Sequence, residues 1–140
     1  MTVKPAFPRV ALMACKHPEL LAETFLALAE VLHQADISVV VDETTASRLP
    51  FDNVQSIPLA SLNRHADIIC VIGGDGSLLQ AAQTALHQYL PIIGINRGRL
   101  GFLADIQPQH LSHLVDVLQG NYTKEERFLL NVVVKHENTI

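Results

Sequence analysis

The run Gly73-Gly74-Asp75-Gly76-Ser77 sets three glycines within four residues around one carboxylate, directly after the apolar stretch Ile68-Ile69-Cys70-Val71-Ile72. Glycines strip Cβ atoms from a turn and let backbone N–H groups approach a ligand closely. A helix starting at the turn adds unpaired amides and the positive end of its dipole, and both favour phosphate. The carboxylate is the odd member, since such a cradle prefers negative charge from its ligand. An enzyme that takes a proton from an attacking hydroxyl, or holds a divalent ion beside phosphates, gains from an acid at Asp75. A turn former or helix N-cap also fits there. These residues alone accommodate both roles.

A second cluster, Asn96-Arg97-Gly98-Arg99-Leu100-Gly101-Phe102-Leu103, follows the apolar run at residues 92–95. Two glycines and two arginines at the end of a strand suit a ligand loop better than a plain connector. Metal chemistry held by the chain itself has little support. His110 and His113 are three apart, but no carboxylate or thiolate at matching spacing completes a site, so both are read as solvated helix positions. Neither Cys15 nor Cys70 has metal-ligand spacing. Both lie in apolar runs and are expected as buried free thiols in a reducing compartment.

The elements that must position these clusters alternate in type. Residues 9–15 form a first strand, and Pro18 suits the first turn of a helix reaching to about residue 35, with Leu21, Phe25, Leu28 and Leu32 on one face. A second strand covers 37–41. The segment 42–60, with Pro50 and Pro58, reads as a loop-rich crossover containing a short helix near 44–49. The run at 68–72 is β-branched and apolar on both alternating sets, the pattern of a parallel strand buried on both faces. After the glycine turn a helix is expected from about Ser77, with Leu79, Ala82, Leu86 and Tyr89 as its apolar stripe. A strand at 92–95 and a helix over 108–119 follow, the latter with Leu111, Leu114, Val115 and Leu118 inward and Gly120 as its stop. Residues 127–135 are strand-like. This alternation predicts an α/β fold, a doubly wound and mostly parallel sheet with helices on both faces. Ligands of such sheets collect at the carboxyl ends of the strands, where both glycine-rich stretches lie. They share one rim if their strands are neighbours.

Bulk properties narrow the partners. The chain has 140 residues, 49% of them hydrophobic, with mean hydropathy +0.24, enough for one compact core. Ten basic against fourteen acidic residues give a net charge of −4 and a pI near 5.9. No basic stripe exists, which argues against nucleic acid. No run approaches a membrane span, and residues 1–8 lack the apolar stretch of a signal peptide, so a soluble cytoplasmic protein is expected.

Two nucleotide motifs fail. No glycine-rich loop ends in Gly-Lys-Ser or Gly-Lys-Thr. In Gly74-Asp75-Gly76-Ser77-Leu78-Leu79 a leucine stands where a dinucleotide fingerprint needs its third glycine, and Asn96 rather than an acid follows Ile95, so hydride transfer is disfavoured.

The turn Gly73-Gly74-Asp75-Gly76-Ser77-Leu78-Leu79, with Gly94-Ile95-Asn96-Arg97-Gly98-Arg99-Leu100-Gly101-Phe102-Leu103-Ala104-Asp105 after it, closely resembles bacterial NAD kinases. The first motif is shared with diacylglycerol and sphingosine-type lipid kinases and loosely with 6-phosphofructokinases. The second is more specific, and the later Glu126-Arg127-Phe128-Leu129-Leu130 fits it. The resemblance implies transfer of the γ-phosphoryl group of ATP to the 2′-hydroxyl of the adenosine ribose of NAD, with a divalent ion, most simply Mg2+, on the phosphates. Asp75 matches the proton acceptor. An ordinary Asp, with a pKa of about 3.9, is a poor base for a sugar hydroxyl, but a loose transition state asks more for positioning than for base strength. Gly73, Gly74 and Gly76 would hold the turn open to nucleotide, Gly76 matching a contact to NAD. Leu79 and Phe102 match apolar positions of the NAD pocket, and Asn96 and Arg97 would meet phosphate or ribose. Ser77 stands where the family usually has threonine, with the hydroxyl kept.

The resemblance also implies a division at about residue 128. Residues 1–128 form the nucleotide-binding domain and 129–140 begin a β-rich second domain, whose Asn-Glu or Asn-Asp pair and Gly-Ser-Thr-Ala-Tyr-type segment are absent from this sequence. The chain is therefore expected to be a fragment with little activity alone, and the full-length protein a dimer or tetramer. A lipid or sugar kinase sharing the first motif, or a non-catalytic nucleotide-binding module, are the alternatives.

Overall fold

The computed structural model describes residues 5–14, 22–50, 54–96, 106 and 110–122. In chain order they form β1 (Arg9–Met13), α1 (Ala22–Gln34), β2 (Ser38–Asp42), α2 (Glu43–Ser47), β3 (Ser56–Ile57), a 3-10 helix (Leu59–Arg64), β4 (Ile68–Gly73), α3 (Asp75–Gln88), β5 (Ile92–Asn96) and α4 (Leu111–Leu118). The five strands pair in the order β3-β2-β1-β4-β5, every pair parallel. Ile106 extends the far edge through a parallel bridge to Ile95.

Parallel strands need crossovers, and the crossovers cover both faces with helices. One core joins Phe25, Leu28 and Leu32 of α1 and Leu114 and Leu118 of α4 to Val10, Leu12, Cys70, Ile72 and Ile95. The other joins Leu62 of the 3-10 helix and Leu78, Ala81 and Ala85 of α3 to Ala11, Val40, Ile69 and Val71. Alternate residues of β1 and β4 thus feed opposite cores, as the period of two requires. This is the doubly wound α/β fold with helices on both faces that the sequence pattern predicts.

Three readings of the sequence change. The helix after the glycine turn starts at Asp75, two residues earlier than expected. Its sheet-facing side is Ser77, Leu78, Ala81 and Ala85, while Leu79, Leu86 and Tyr89 are 52%, 58% and 93% exposed. Two apolar stripes overlap on this helix, and the smaller side chains win the sheet because they let the helix axis approach closely. The crossover at 42–60 contains β3 and leads into the 3-10 helix, neither of which the sequence resolved. The two-residue β3 is too short to show a period, and among the described residues it pairs with the end of β2. The 3-10 helix is fastened to α3 by Gln88, whose Oε1 accepts from the Asn63 N–H at 2.8 Å and whose Nε2 donates to the Leu59 carbonyl at 2.5 Å.

Candidate active site

In a sheet ordered β3-β2-β1-β4-β5 the strand order reverses between β1 and β4, and ligands favour the crevice outside the carboxyl ends at that point. The Gly73-Gly74-Asp75 turn sits at the carboxyl end of β4, on one lip of that crevice. Gly73 still pairs with β5 but has φ +154, a region that side chains rarely adopt, and it swings the chain out of the sheet. Gly74 is the N-cap of α3, with extended φ −111 and ψ −162, and its carbonyl accepts the first helical bond from the Leu78 N–H at 3.0 Å. A glycine N-cap brings no side-chain acceptor to the first amides of α3. The space where a Gly74 Cβ would stand has no atom within 4 Å.

Asp75 is the first residue of α3 and half-buried. A carboxylate in the first turn is favoured by the helix dipole. It also lies on the rim, so the structural and the chemical uses of an acid coincide here. Gly76 is exposed beside it, and Ser77 is buried under the turn. Leu79 stands four residues after Asp75, on the same side of the helix and half-exposed, which offers an apolar surface next to the carboxylate.

The rim is shared. Gly73 is the register partner of Asn96, the last residue of β5, so the chain leaves both strands side by side. The structure thereby brings Gly73, Gly74, Asp75, Gly76, Leu79 and the backbone of Asn96 together at one end of the sheet. Arg97 and Phe102 lie outside the described residues, as do Cys15 and the strand-like 127–135.

One residue on this rim escaped the sequence. Asp42 ends β2, caps α2 through Oδ2, which accepts from the Thr45 N–H at 3.1 Å, and is only 3% exposed. Its Oδ1 is buried with no hydrogen-bond partner among the described residues. Thr45 in turn ties α2 to the end of β1, its Oγ1 accepting from the Ala14 N–H at 3.3 Å and donating to the Ala14 carbonyl at 3.4 Å. The sequence signal is an acid closing the run Val39-Val40-Val41, hidden because 42–60 reads as a loop-rich crossover in which a lone acid is ordinary.

Residues 11–122 match the model of the ATP-NAD kinase N-terminal domain. The chain belongs to the NAD kinase family. It is 43% identical over 137 residues to an NAD kinase of Coxiella burnetii, covering 98% of this chain and 46% of that one. It is 42% identical over 135 residues to an NAD kinase of Legionella pneumophila, covering 94% and 45%. The chain thus spans slightly under half the length of these NAD kinase relatives. Its fold superposes on yeast NADH kinase, solved with NADH, with TM-score 0.63 at 17% identity over 84% of this chain and 39% of the yeast chain.

Proposed function

We propose that this chain is the nucleotide-binding half of an NAD kinase, which transfers the γ-phosphoryl group of ATP to the 2′-hydroxyl of the adenosine ribose of NAD to give NADP. The observation that supports it most is the position of Asp75: first in α3, at the carboxyl end of β4, beside the end of β5. A module that only held phosphate would gain little from an acid at the head of its helix.

The residues divide the work as follows. Gly73 and Gly74 keep the turn free of Cβ atoms, so phosphate oxygens reach the amides at the head of α3. Asp75 orients the ribose hydroxyl toward the phosphorus and accepts its proton as the new P–O bond forms. In a loose transition state that transfer comes late, so an acid of ordinary strength suffices. Gly76 leaves room for the ribose, and Leu79 offers an apolar wall beside it. Asn96, Arg97 and Phe102 complete the acceptor side. Among the described residues no group of three or more His, Cys, Asp or Glu could hold a metal. A divalent ion, most simply magnesium, would instead be carried on the phosphates of ATP, whose oxygens are the hard ligands it prefers. Magnesium, when bound, neutralises charge on the phosphate oxygens.

Residues 1–128 would form the first domain and 129–140 lead into a second that completes the NAD pocket. The full-length protein would be a cytoplasmic homodimer or homotetramer, and the 140-residue chain inactive alone. The test is to incubate the purified full-length gene product with ATP, magnesium and NAD and to measure NADP, with diacylglycerol and fructose 6-phosphate as competing acceptors. NADP formation by the full-length protein and none by residues 1–140 is the expected result. Phosphorylation of a lipid or sugar instead would overturn the acceptor, and turnover by the 140-residue chain would overturn the division.

A further inference from the structure

Asp42 is a carboxylate enclosed at the end of β2 with half of its acceptor capacity unused among the described residues. The cap on α2 needs only Oδ2. Leaving the other oxygen of a buried acid without a donor is costly, and such an atom calls for a partner that arrives from elsewhere. Its place in the sheet suggests which. Asp42 and the glycine turn both lie at carboxyl ends, separated by β1, so β2 and β4 stand about 10 Å apart. That is comparable with the reach of a triphosphate chain.

Phosphoryl transfer adds direction. The attacking hydroxyl and the leaving diphosphate lie on opposite sides of the transferred phosphorus. With the acceptor over the β5 side of the turn, the donor nucleotide runs the other way, across the end of β1 toward β2. We infer that Asp42 is a binding residue for the phosphoryl donor, its Oδ1 accepting a hydrogen bond from the ribose hydroxyls of a nucleoside triphosphate whose phosphates rest on the Gly73-Gly74 turn. An acid ending a strand of a doubly wound sheet is well placed to accept from a ribose hydroxyl, and with Oδ2 held by the α2 cap it is Oδ1 that is left to do so. Oδ1 is enclosed, so the surface over the end of β2 must part as the ribose enters. This inference rests on the phosphoryl-transfer reading but not on NAD as the acceptor.

The test is equilibrium binding of a non-hydrolysable ATP analogue and of its 2′,3′-dideoxy form to the full-length gene product, compared with Asp42→Asn and Asp42→Ser. Both substitutions keep an oxygen able to cap α2, and their urea midpoints check that the fold survives. Wild-type protein should lose roughly tenfold or more in affinity on removal of the hydroxyls, and both variants should be nearly indifferent to it. An equal dideoxy penalty in wild type and variants overturns the inference while leaving NAD phosphorylation untouched. Absence of triphosphate binding by wild type overturns it together with the donor, and NADP formation, measured separately, shows whether the proposed function falls as well.

Discussion

Ser77 sits directly over the α-carbon of Gly73: a Cβ on Gly73 would lie 2.5 Å from the Ser77 Oγ and 2.7 Å from the Ser77 Cβ. Those separations are well inside van der Waals contact, so only a residue without a Cβ lets the first turn of α3 fold back this closely over the end of β4. The glycine thereby permits the direction in which the chain leaves β4, and hence where Asp75 stands. Gly74, the next residue, has open space where its Cβ would be. Gly73→Ala is therefore expected to cost about 2–4 kcal/mol, from overlap and from its positive φ, measured by urea unfolding. Gly74→Ala should stay within about 1 kcal/mol of wild type. Triphosphate affinity should nevertheless fall in Gly74→Ala, because the new methyl occupies the side from which phosphate would approach.

Asp75→Asn separates chemistry from architecture. Loss of a charge from the first turn should cost at most about 1 kcal/mol of stability. In the full-length protein NADP formation should drop about a hundredfold or more in kcat, with smaller change in the KM for ATP. Steady-state assays of both substrates check this, and retained turnover would return Asp75 to a purely structural role.

The two faces of α3 should respond oppositely. Ala81 is fully buried against β4 and its neighbours, so Ala81→Leu overpacks the contact and should destabilise by about 1–3 kcal/mol. Leu86 is exposed, and Leu86→Ala should change stability by about 0.5 kcal/mol or less. Thermal or urea melts of the two variants decide whether the small residues carry the packing.

A pH signature is expected at the opposite end of the sheet. Arg9 Nη2 donates to Asp67 Oδ1 at 2.8 Å, its Nε and backbone N–H reach Oδ2 at 3.2 and 3.1 Å, and its Nη1 donates to the Arg64 carbonyl. The hydrogen bond from the Arg9 side chain holds the Asp67 carboxyl below its ordinary 3.8, against an opposing effect of burial. The folded value is below the unfolded one, so the contribution is complete above that range and lost as pH falls through it. The stability gap between wild type and Asp67→Asn should be constant at neutral pH and close on acidification below about pH 4. Added salt should narrow it, since both side chains are partly exposed.

Burial pushes the Cys70 thiol up to about 12, so almost no thiolate forms at pH 8. In a Cys15→Ser background, a disulfide reagent should label the chain only as fast as it unfolds. Labelling that is rapid in the absence of denaturant would show that β4 opens locally.

The family, the α/β class and the two glycine-bearing strand ends were all legible in the sequence, because they depend on local facts. Runs of β-branched residues buried on both faces, helical stripes such as Phe25, Leu28 and Leu32, and a turn chemistry only glycine allows are written residue by residue. What depends on distant partners was not. That β4 and β5 are neighbours, with Gly73 opposite Asn96, follows from hydrogen bonds between segments about twenty residues apart. That α3 turns its alanines rather than Leu79, Leu86 and Tyr89 to the sheet depends on how closely a helix can approach strands it does not encode. Asp42 shows the same limit most sharply. Its identity was plain, but its burial, and the lack of a partner for Oδ1 among the described residues, arise only once β2 is paired in the sheet and capped onto α2, since desolvation is a property of the packed chain and not of any one residue.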